Sequence, residues 1–267
     1  MKKVNLFAAT ALSMAMATGA NAATIGYLSS NFDDNFLTLM REAAKEHTEA
    51  LGHTFQIEDA REDVGMQLSQ IQNFIASGVD ALVVTAVSAA ATPQITKMAN
   101  AANIPLVYVN RMPVDAADLG GTTTFVGSDE TWSGTLAAFE LCNQAAGTGT
   151  AVMLQGILSN EAAVTRSKDF EEVLGLSMCK GIKLEAVEVG SWQRAKGNDI
   201  VSNWLSSGMQ IDIVFANNDE MGLGAIQALK NAGIDMDDVL VGSVEATADA
   251  LVAMKAGDLD VTVLQNA

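Results

Sequence analysis

The run Phe32-Asp33-Asp34-Asn35-Phe36 combines two carboxylates and an amide with two aromatic rings. Carboxylates and amides hydrogen-bond hydroxyl groups, and flat rings cover apolar C–H faces, so these side chains could bind a polyhydroxylated molecule. The run follows a strand-like segment and leads into an amphipathic helix, and ligands of open α/β sheets bind at that end of the strands. The same residues would also suit a helix start at which Asp33 or Asp34 merely caps the helix.

Other polar and aromatic side chains come directly after predicted strands or near the starts of helices. They are Asn110, Arg111, Arg166, Trp192, Asn217, Asn218, Asp219 and Glu245. Each alone could be a cap or a turn residue. At the same end of successive parallel strands they would line one cleft, and their amides, carboxylates and guanidinium groups suit a ligand with several hydroxyl groups. A nucleotide site would instead need a glycine-rich turn.

The chain lacks the common sequence signatures of catalysis. It contains no Gly-x-Ser-x-Gly elbow, no His-Glu-x-x-His motif and no Walker loop. Asp33 and Asp34 could do acid–base chemistry, but adjacent residues on a turn rarely flank one substrate bond as glycoside hydrolysis requires. We therefore expect a binding protein without a cofactor, and an exported carbohydrate-active enzyme is the rival hypothesis.

The order of predicted elements explains how these side chains are positioned. Short β-rich runs alternate with longer helical patterns, twice along the chain, which is typical of an α/β protein with two Rossmann-like lobes of parallel strands. The predicted strands are residues 25–29, 54–58, 81–85 and 106–109 in the first lobe, and 150–154, 184–189, 213–216, 239–242 and 260–264 in the second. The rhythm breaks at residues 115–129, where we predict a hinge between the lobes rather than a flexible linker.

Residues 1–22 have the basic start, apolar run and small-residue cleavage site of a secretory signal peptide, so we expect export to the periplasm of a Gram-negative type of cell. We predict an N-terminal lobe of residues 23–126 and a C-terminal lobe of residues 127–264. Residues 265–267 would begin a return to the first lobe. Because the sequence stops at the end of a strand, without a closing helix, we expect a truncated chain.

Acidic residues outnumber basic ones, 32 to 15, which gives a formal net charge of −17. This charge repels nucleic acids and anionic membrane surfaces, so neither is expected as a partner. It names no partner itself and is explained by the solubility of an exported protein.

The chain has two cysteines, Cys142 and Cys179, in a compartment that permits disulfides. They lie near the ends of two predicted helices that flank one strand, so they could be bonded, and two buried thiols would also fit. Their spacing fits no zinc pattern, and neither His47 nor His53 has a partner at ligand spacing. We therefore expect no metal site.

Several of these runs resemble, in the same order along the chain, the ribose- and galactose-type periplasmic sugar-binding proteins of ABC transporters. The resemblance rests on residues 33–36, 109–111, 154–156, 166, 215–221 and 263–265. It implies a type I periplasmic binding protein whose two lobes close on a monosaccharide or cyclitol. It also implies a permease of an ABC transporter or a chemoreceptor as partner, and a monomer.

Position by position, the resemblance implies a set of ligand contacts drawn from both lobes. The set is Ser30, Asp34, Phe36, Asn110, Arg111, Arg166, Trp192, Asn218, Glu245 and Gln265. Asp33 is then left as the cap of the first helix.

Three positions depart from the family's pattern. Glu245 stands where an aspartate is usual, Ala162 stands where galactose binders place a carboxylate, and Gly147-Thr148-Gly149 lacks the acidic ligands of their calcium loop. The cysteine pair, together with residues 58–60 and 203–205, looks most like the inositol and rhizopine branch. A partly folded, non-functional truncated member is the second alternative, whereas a sugar-responsive transcription factor is excluded by the export signal and the missing helix-turn-helix headpiece.

Overall fold

The computed structural model describes residues 22–266, so nearly all of the predicted signal peptide, residues 1–21, lies outside the described residues. Five parallel strands form each of two sheets, with the orders β2-β1-β3-β4-β5 and β10-β9-β8-β6-β7. We call the part with the first sheet the N-lobe and the part with the second sheet the C-lobe. The two-lobed α/β architecture predicted from the sequence is confirmed.

The N-lobe begins with a strand and alternates strands with helices. Its elements are β1 (Thr24–Ser29), α1 (Asn35–Ala50), β2 (Thr54–Asp59), α2 (Val64–Ser77), β3 (Ala81–Val84), α3 (Thr92–Ala101), β4 (Leu106–Val109) and β5 (Thr123–Val126). Its core packs around side chains such as Leu28, Leu82 and Leu106, none of which is accessible to solvent. Continuous apolar runs such as these are typical of parallel strands buried between layers of helices.

Strand β5 was not among the predicted strands, which stopped at residue 109 in this lobe. Thr123–Val126 pairs in parallel with β4 along its full length. The strand is only four residues long and lies beside Gly120 and Gly121, so the surrounding turn residues obscured its β-branched pattern. The segment predicted as a break in the rhythm therefore carries an additional strand of the N-lobe sheet.

The C-lobe continues the alternation of strands and helices. Its elements are α4 (Ser133–Gln144), β6 (Thr148–Gln155), α5 (Glu161–Leu174), β7 (Gly181–Val189), α6 (Arg194–Ser206), β8 (Ile213–Ala216), α7 (Asp219–Asn231), β9 (Leu240–Glu245), α8 (Ala248–Ala256) and β10 (Val261–Leu264). Successive side chains of β6 point to opposite faces of the sheet, as Val152 and Leu154 enter one core and Ala151 and Met153 enter the other.

A disulfide between Cys142 and Cys179 joins the end of α4 to the segment before β7, with a Cα–Cα distance of 5.7 Å. Both cysteines are buried in the same core as Phe170 and Phe215. Within residues 22–266, no helix is both long enough and apolar enough to cross a bilayer.

Candidate functional site

A cavity lies between the two lobes at the carboxyl ends of their strands, and it encloses about 410 Å³ of space free of protein atoms, partly open to solvent. The N-lobe contributes Asp34, Phe36, Leu37, Asn110 and Arg111 to the lining, and the C-lobe contributes Asn160, Glu161, Ala162, Arg166, Trp192, Glu245 and Gln265. Both sheets therefore direct polar groups into one shared space, as the strand-end pattern predicted.

Two residues of the predicted ligand set, Ser30 and Asn218, lie outside this lining. Ser30 is fully buried in the N-lobe. Asn218 caps α7, where its side-chain oxygen accepts a hydrogen bond from the Met221 N–H at 3.1 Å, and its amide nitrogen donates to the Trp192 carbonyl at 3.4 Å. Asn218 thus supports Trp192 from behind. The other eight residues of the set line the cavity.

The first helix is capped by Asp34, and the prediction that Asp33 is the cap is wrong. The Asp34 carboxylate accepts a hydrogen bond from the Leu37 N–H at 2.9 Å, three residues ahead, which is the spacing an N-cap needs. Asp33 is exposed, one residue too early, and its own N–H donates to Asn31. Burial raises the pKa of Asp34, and the hydrogen bond from Leu37 opposes that rise. Asp34 both starts the helix and faces the cavity.

Arg166, on α5, is held by three different segments of the chain. Its Nε and Nη2 donate to the two oxygens of Glu130 at 2.8 and 3.0 Å, and Nη2 also donates to Gln265 at 3.0 Å. Its Nη1 donates to the carbonyl of Asn217 at 2.8 Å. Because a guanidinium has five N–H groups, one N–H of Nη1 is left for a ligand. The guanidinium also lies over the Trp192 ring, 5.9 Å from its centroid.

Arg111, after β4, is similarly fixed by neighbours within its own lobe. Its Nη2 donates to a Glu62 oxygen at 3.1 Å, and its Nη1 donates to the carbonyls of Ala86 and Val87 at 3.1 and 3.3 Å. Only 6% of the residue is exposed. Both arginines of the lining are thus neutralised by carboxylates, Glu62 and Glu130, that do not line the cavity themselves.

Asn160 was not predicted as a site residue, although it connects the two lobes. With its amide oxygen oriented toward the neighbouring donors, it accepts hydrogen bonds from Trp192 Nε1 at 3.0 Å and from Arg111 Nε at 3.3 Å. It immediately precedes α5, so the sequence indicates only an ordinary helix cap at this position. Its side chain makes no capping bond and contacts the site instead.

Glu245, at the end of β9, places a carboxylate in the cavity without a partner. Its exposed fraction is 7%, and Oε2 has no hydrogen-bond partner among the described residues. Burial, followed by the nearby negative charge of Asp34, raises the pKa of Glu245 well above its ordinary value. With both arginines already paired, the acidic side chains of the lining, Asp34, Glu161 and Glu245, outnumber its unpaired cationic groups.

Three lining residues adopt backbone conformations that side chains other than glycine rarely take. The φ angles of Asn110, Trp192 and Glu245 are 63°, 67° and 125°. Each such residue costs about 1–3 kcal/mol, and such residues concentrate at functional sites. The three follow β4, follow β7 and end β9, so the strained positions mark the strand ends that face the cavity.

Gly156, after β6, lies directly against the Trp192 ring. A Cβ atom built on Gly156 would overlap the six-membered part of the indole. The backbone N–H of Gly156 also donates to the Asn217 side chain at 2.9 Å. The absence of a side chain at residue 156 therefore gives the indole its place in the cavity wall.

Comparison with known proteins identifies the same two-lobed architecture. The sequence profile described as "Periplasmic binding protein domain" matches residues 25–267. The chain is 50% identical over 258 residues to a protein of Rhizobium meliloti named "Putative rhizopine-binding protein", covering 96% of this chain and 84% of that one. It is 29% identical to the ribose import binding protein of Escherichia coli, covering 99% and 87%.

A solved structure gives the same result for the three-dimensional fold. The solute-binding protein of an ABC transporter from Bacillus halodurans, with bound myo-inositol, superimposes with a TM-score of 0.84. The two sequences are 37% identical, and the match covers 93% of this chain and 85% of the other.

Proposed function

Because this chain belongs to the periplasmic binding protein domain family, we propose that it captures a monosaccharide or a cyclitol between its lobes and delivers it to an ABC transporter. The observation that carries the proposal is the cavity, in which carboxylate, amide and guanidinium groups from both lobes converge beside two aromatic rings. The chain is a binding protein and not an enzyme, in agreement with the family of its relatives.

The side chains of the lining can both accept hydrogen bonds from the hydroxyl groups of such a ligand and donate hydrogen bonds to them. Asp34 and Glu245 accept hydrogen bonds from ligand hydroxyls, while Arg166 and Asn110 donate to the ligand's oxygens. Hydrogen bonds to charged groups contribute about 1.5–3 kcal/mol each. Phe36, which is buried beside the cavity, and Trp192 supply apolar surface for the C–H faces of a ring.

The relatives favour a cyclitol over a simple aldose. One relative is named for rhizopine and a structural neighbour holds myo-inositol, and both are more similar in sequence than the ribose protein. The excess of carboxylates in the cavity disfavours anionic ligands such as uronic acids or sugar phosphates. We propose that the protein is a monomer in the periplasm. Its closed form would be bound by the transporter permease and also by a chemoreceptor.

Calorimetric titration of the folded protein with inositols, pentoses, hexoses and a uronic acid tests this function. We expect heat from at least one neutral inositol or monosaccharide and none from the uronic acid. Asp34→Asn keeps an oxygen for the helix cap and removes the charge, so affinity should fall about tenfold or more. Asp33→Asn, at the exposed neighbour, is the matched control and should bind like the wild type.

Two outcomes of the titration would contradict the proposal. Absence of heat with every neutral sugar and inositol, in a protein shown to be folded, would refute the proposed function. Unchanged affinity of Asp34→Asn would show that the Asp34 carboxylate does not bind the ligand.

A further inference from the structure

A side-chain hydrogen bond joins the two lobes outside the cavity. Asn35, the first residue of α1, donates from Nδ2 to Oε1 of Glu220 in the first turn of α7 at 2.8 Å. Asn35 does not line the cavity, although Asp34 and Phe36 on either side of it do. The bond can exist only when the lobes approach each other.

Glu220 belongs to a second opening between the lobes, which we call the mouth. The mouth is lined by Asn31, Asp33, Glu62, Gln193, Arg194 and Glu220, and it shares Asp34 and Trp192 with the cavity. A third hollow, on another side of the cavity, is lined by Val126, Gly127 and Ser128, where the chain passes from the N-lobe to the C-lobe. The mouth lining contains none of these crossover residues, so the bond between Asn35 and Glu220 closes the cleft away from them.

The acceptor of this bond is held in place by the C-lobe alone. Arg194 donates from Nε and Nη2 to the two oxygens of Glu220 at 2.9 and 2.8 Å, and Nη2 also reaches Asp249 at 2.8 Å. Only 8% of Glu220 is exposed. These contacts lie within one lobe, so they persist when the lobes separate, and closure only has to add the Asn35 bond. A preorganised acceptor lowers the entropic cost of making that bond.

We propose that Asn35 and Glu220 form a latch that stabilises the closed form and thereby strengthens the binding of every ligand by the same factor. The inference rests on the proposed function, in which ligand is held by the closed form. The apparent dissociation constant varies inversely with the fraction of protein in the competent conformation. Because neither Asn35 nor Glu220 lines the cavity, the latch changes affinity without selecting among ligands. Asn35 is a positioning residue.

The chain connects the latch directly to the ligand site. Asn35 follows the cavity residue Asp34, and Arg194 comes two residues after the cavity residue Trp192. The loops that carry ligand contacts from each lobe therefore also carry the two halves of the latch. Ligand that draws Asp34 and Trp192 together brings Asn35 and Glu220 into bonding distance.

The test measures dissociation constants for two or more ligands in variants of Asn35. Asn35→Ala should weaken binding by about three- to tenfold, the effect of one hydrogen bond, and by the same factor for each ligand. Asn35→Asp should weaken binding further, since two carboxylates would face each other, and added salt should reduce that excess. An aspartate at a helix start does not lower folding stability, so lost affinity with unchanged thermal stability identifies the latch.

Gln193→Ala is the matched control in the same opening. Gln193 lines the mouth and makes no side-chain hydrogen bond among residues 22–266, so affinity should not change. Unchanged affinity in both Asn35 variants, or a factor that differs between ligands, would overturn the latch.

A distance measurement separates failure of the latch from failure of the proposed function. Spin labels on Glu46→Cys and Asp199→Cys, which are exposed positions on α1 and α6, report the separation of the lobes, since the native cysteines are bonded to each other. Without any ligand, Asn35→Asp should shift the distances toward the open form. Absence of binding by every ligand would refute the proposed function, while identical distance distributions would refute the latch.

Discussion

At the scale of single residues, the ion pair between Arg166 and Glu130 stabilises the folded protein and also holds Arg166 in the cavity lining. The two side chains are 3% and 5% exposed, and the pair is held at 2.8 Å. Removal of one partner from a buried pair leaves an uncompensated charge and costs about 3–5 kcal/mol. We expect Arg166→Met to lower the free energy of unfolding by about this amount, measured by urea denaturation.

A double variant separates the two roles of Arg166. Replacing Glu130 together with Arg166, as Arg166→Met with Glu130→Leu, removes both charges and should recover most of the lost stability. Ligand binding should be lost in the single and the double variant, because the free N–H of the guanidinium is gone from both. A single variant as stable as the wild type would show that the pair does not support the fold.

Glu245 should make the ligand-free protein less stable as the pH rises. Its pKa is raised in the folded protein by burial and by the charge of Asp34, whereas the unfolded chain keeps the ordinary value of 4.5. Between these two values the folded state binds more protons than the unfolded state, so this contribution is fully present below pH 4.5 and is lost as the pH rises through the folded pKa. Thermal unfolding as a function of pH measures the effect.

The variant Glu245→Gln removes the titration and keeps the shape of the side chain. It should match the wild type near pH 4.5, the ordinary value for this carboxyl, and exceed its melting temperature at higher pH. Glu46→Gln changes the net charge equally at an exposed position on α1 and should follow the wild type. Parallel pH profiles for Glu245→Gln and the wild type would contradict the assignment.

At the scale of elements, the site depends on how closely the turn after β6 approaches the turn after β7. Because a Cβ at residue 156 would overlap the Trp192 ring, Gly156→Ala should push the indole out of its place in the cavity wall. We expect about tenfold weaker ligand binding, from the lost contact with the ligand's apolar face, in a protein that still folds. Calorimetry gives the affinity, and tryptophan fluorescence reports the displaced ring.

Gly120→Ala is the corresponding control. A Cβ there meets no atom within 4 Å, so binding and fluorescence should be unchanged. If Gly156→Ala binds ligand as tightly as the wild type, the position of the indole is not set by this approach of the two turns.

The strands show what sequence patterns can predict in this fold. Residues 106–109 and 213–216 were predicted with the bounds that the structure has, because continuous apolar runs mark strands that lie between layers of helices. The ends of β9 were shifted, and β5 was missed among turn residues. Local pattern therefore predicts strands whose apolar run is uninterrupted, and it fails for β5, where neighbouring turn residues obscure the run.

The site residues divide in the same way. Asn110, Arg111 and Glu245 come where strands end, so the strand pattern alone indicated them. Asn160 and Glu130 carry no such signal, since their partners Arg111 and Arg166 lie far along the chain and are brought near only by tertiary packing. The choice between Asp33 and Asp34 failed by one residue because either carboxylate suits a helix start until the helix's first turn is known.

At the scale of the whole molecule, the cavity is complete only when the lobes are together, because each lobe supplies part of its lining. Ligand should therefore favour the closed shape, and small-angle X-ray scattering should show a smaller radius of gyration with saturating ligand than without it. At a ligand concentration of about 100 times the dissociation constant, stability should rise by about 2.7 kcal/mol. Asp34→Asn at the same ligand concentration should show a smaller change in both measurements. Tight binding without any compaction would contradict the closure.

The three-way anchoring of Arg166 limits how such a protein can acquire a new ligand during evolution. Glu130 lies between the last strand of the N-lobe and the first helix of the C-lobe, and Gln265 follows the final strand of the C-lobe. A substitution at Arg166 would disturb those segments together with the ligand contact. Ala162 lines the same cavity without such attachments, so mutations there can alter ligand preference while the architecture is retained.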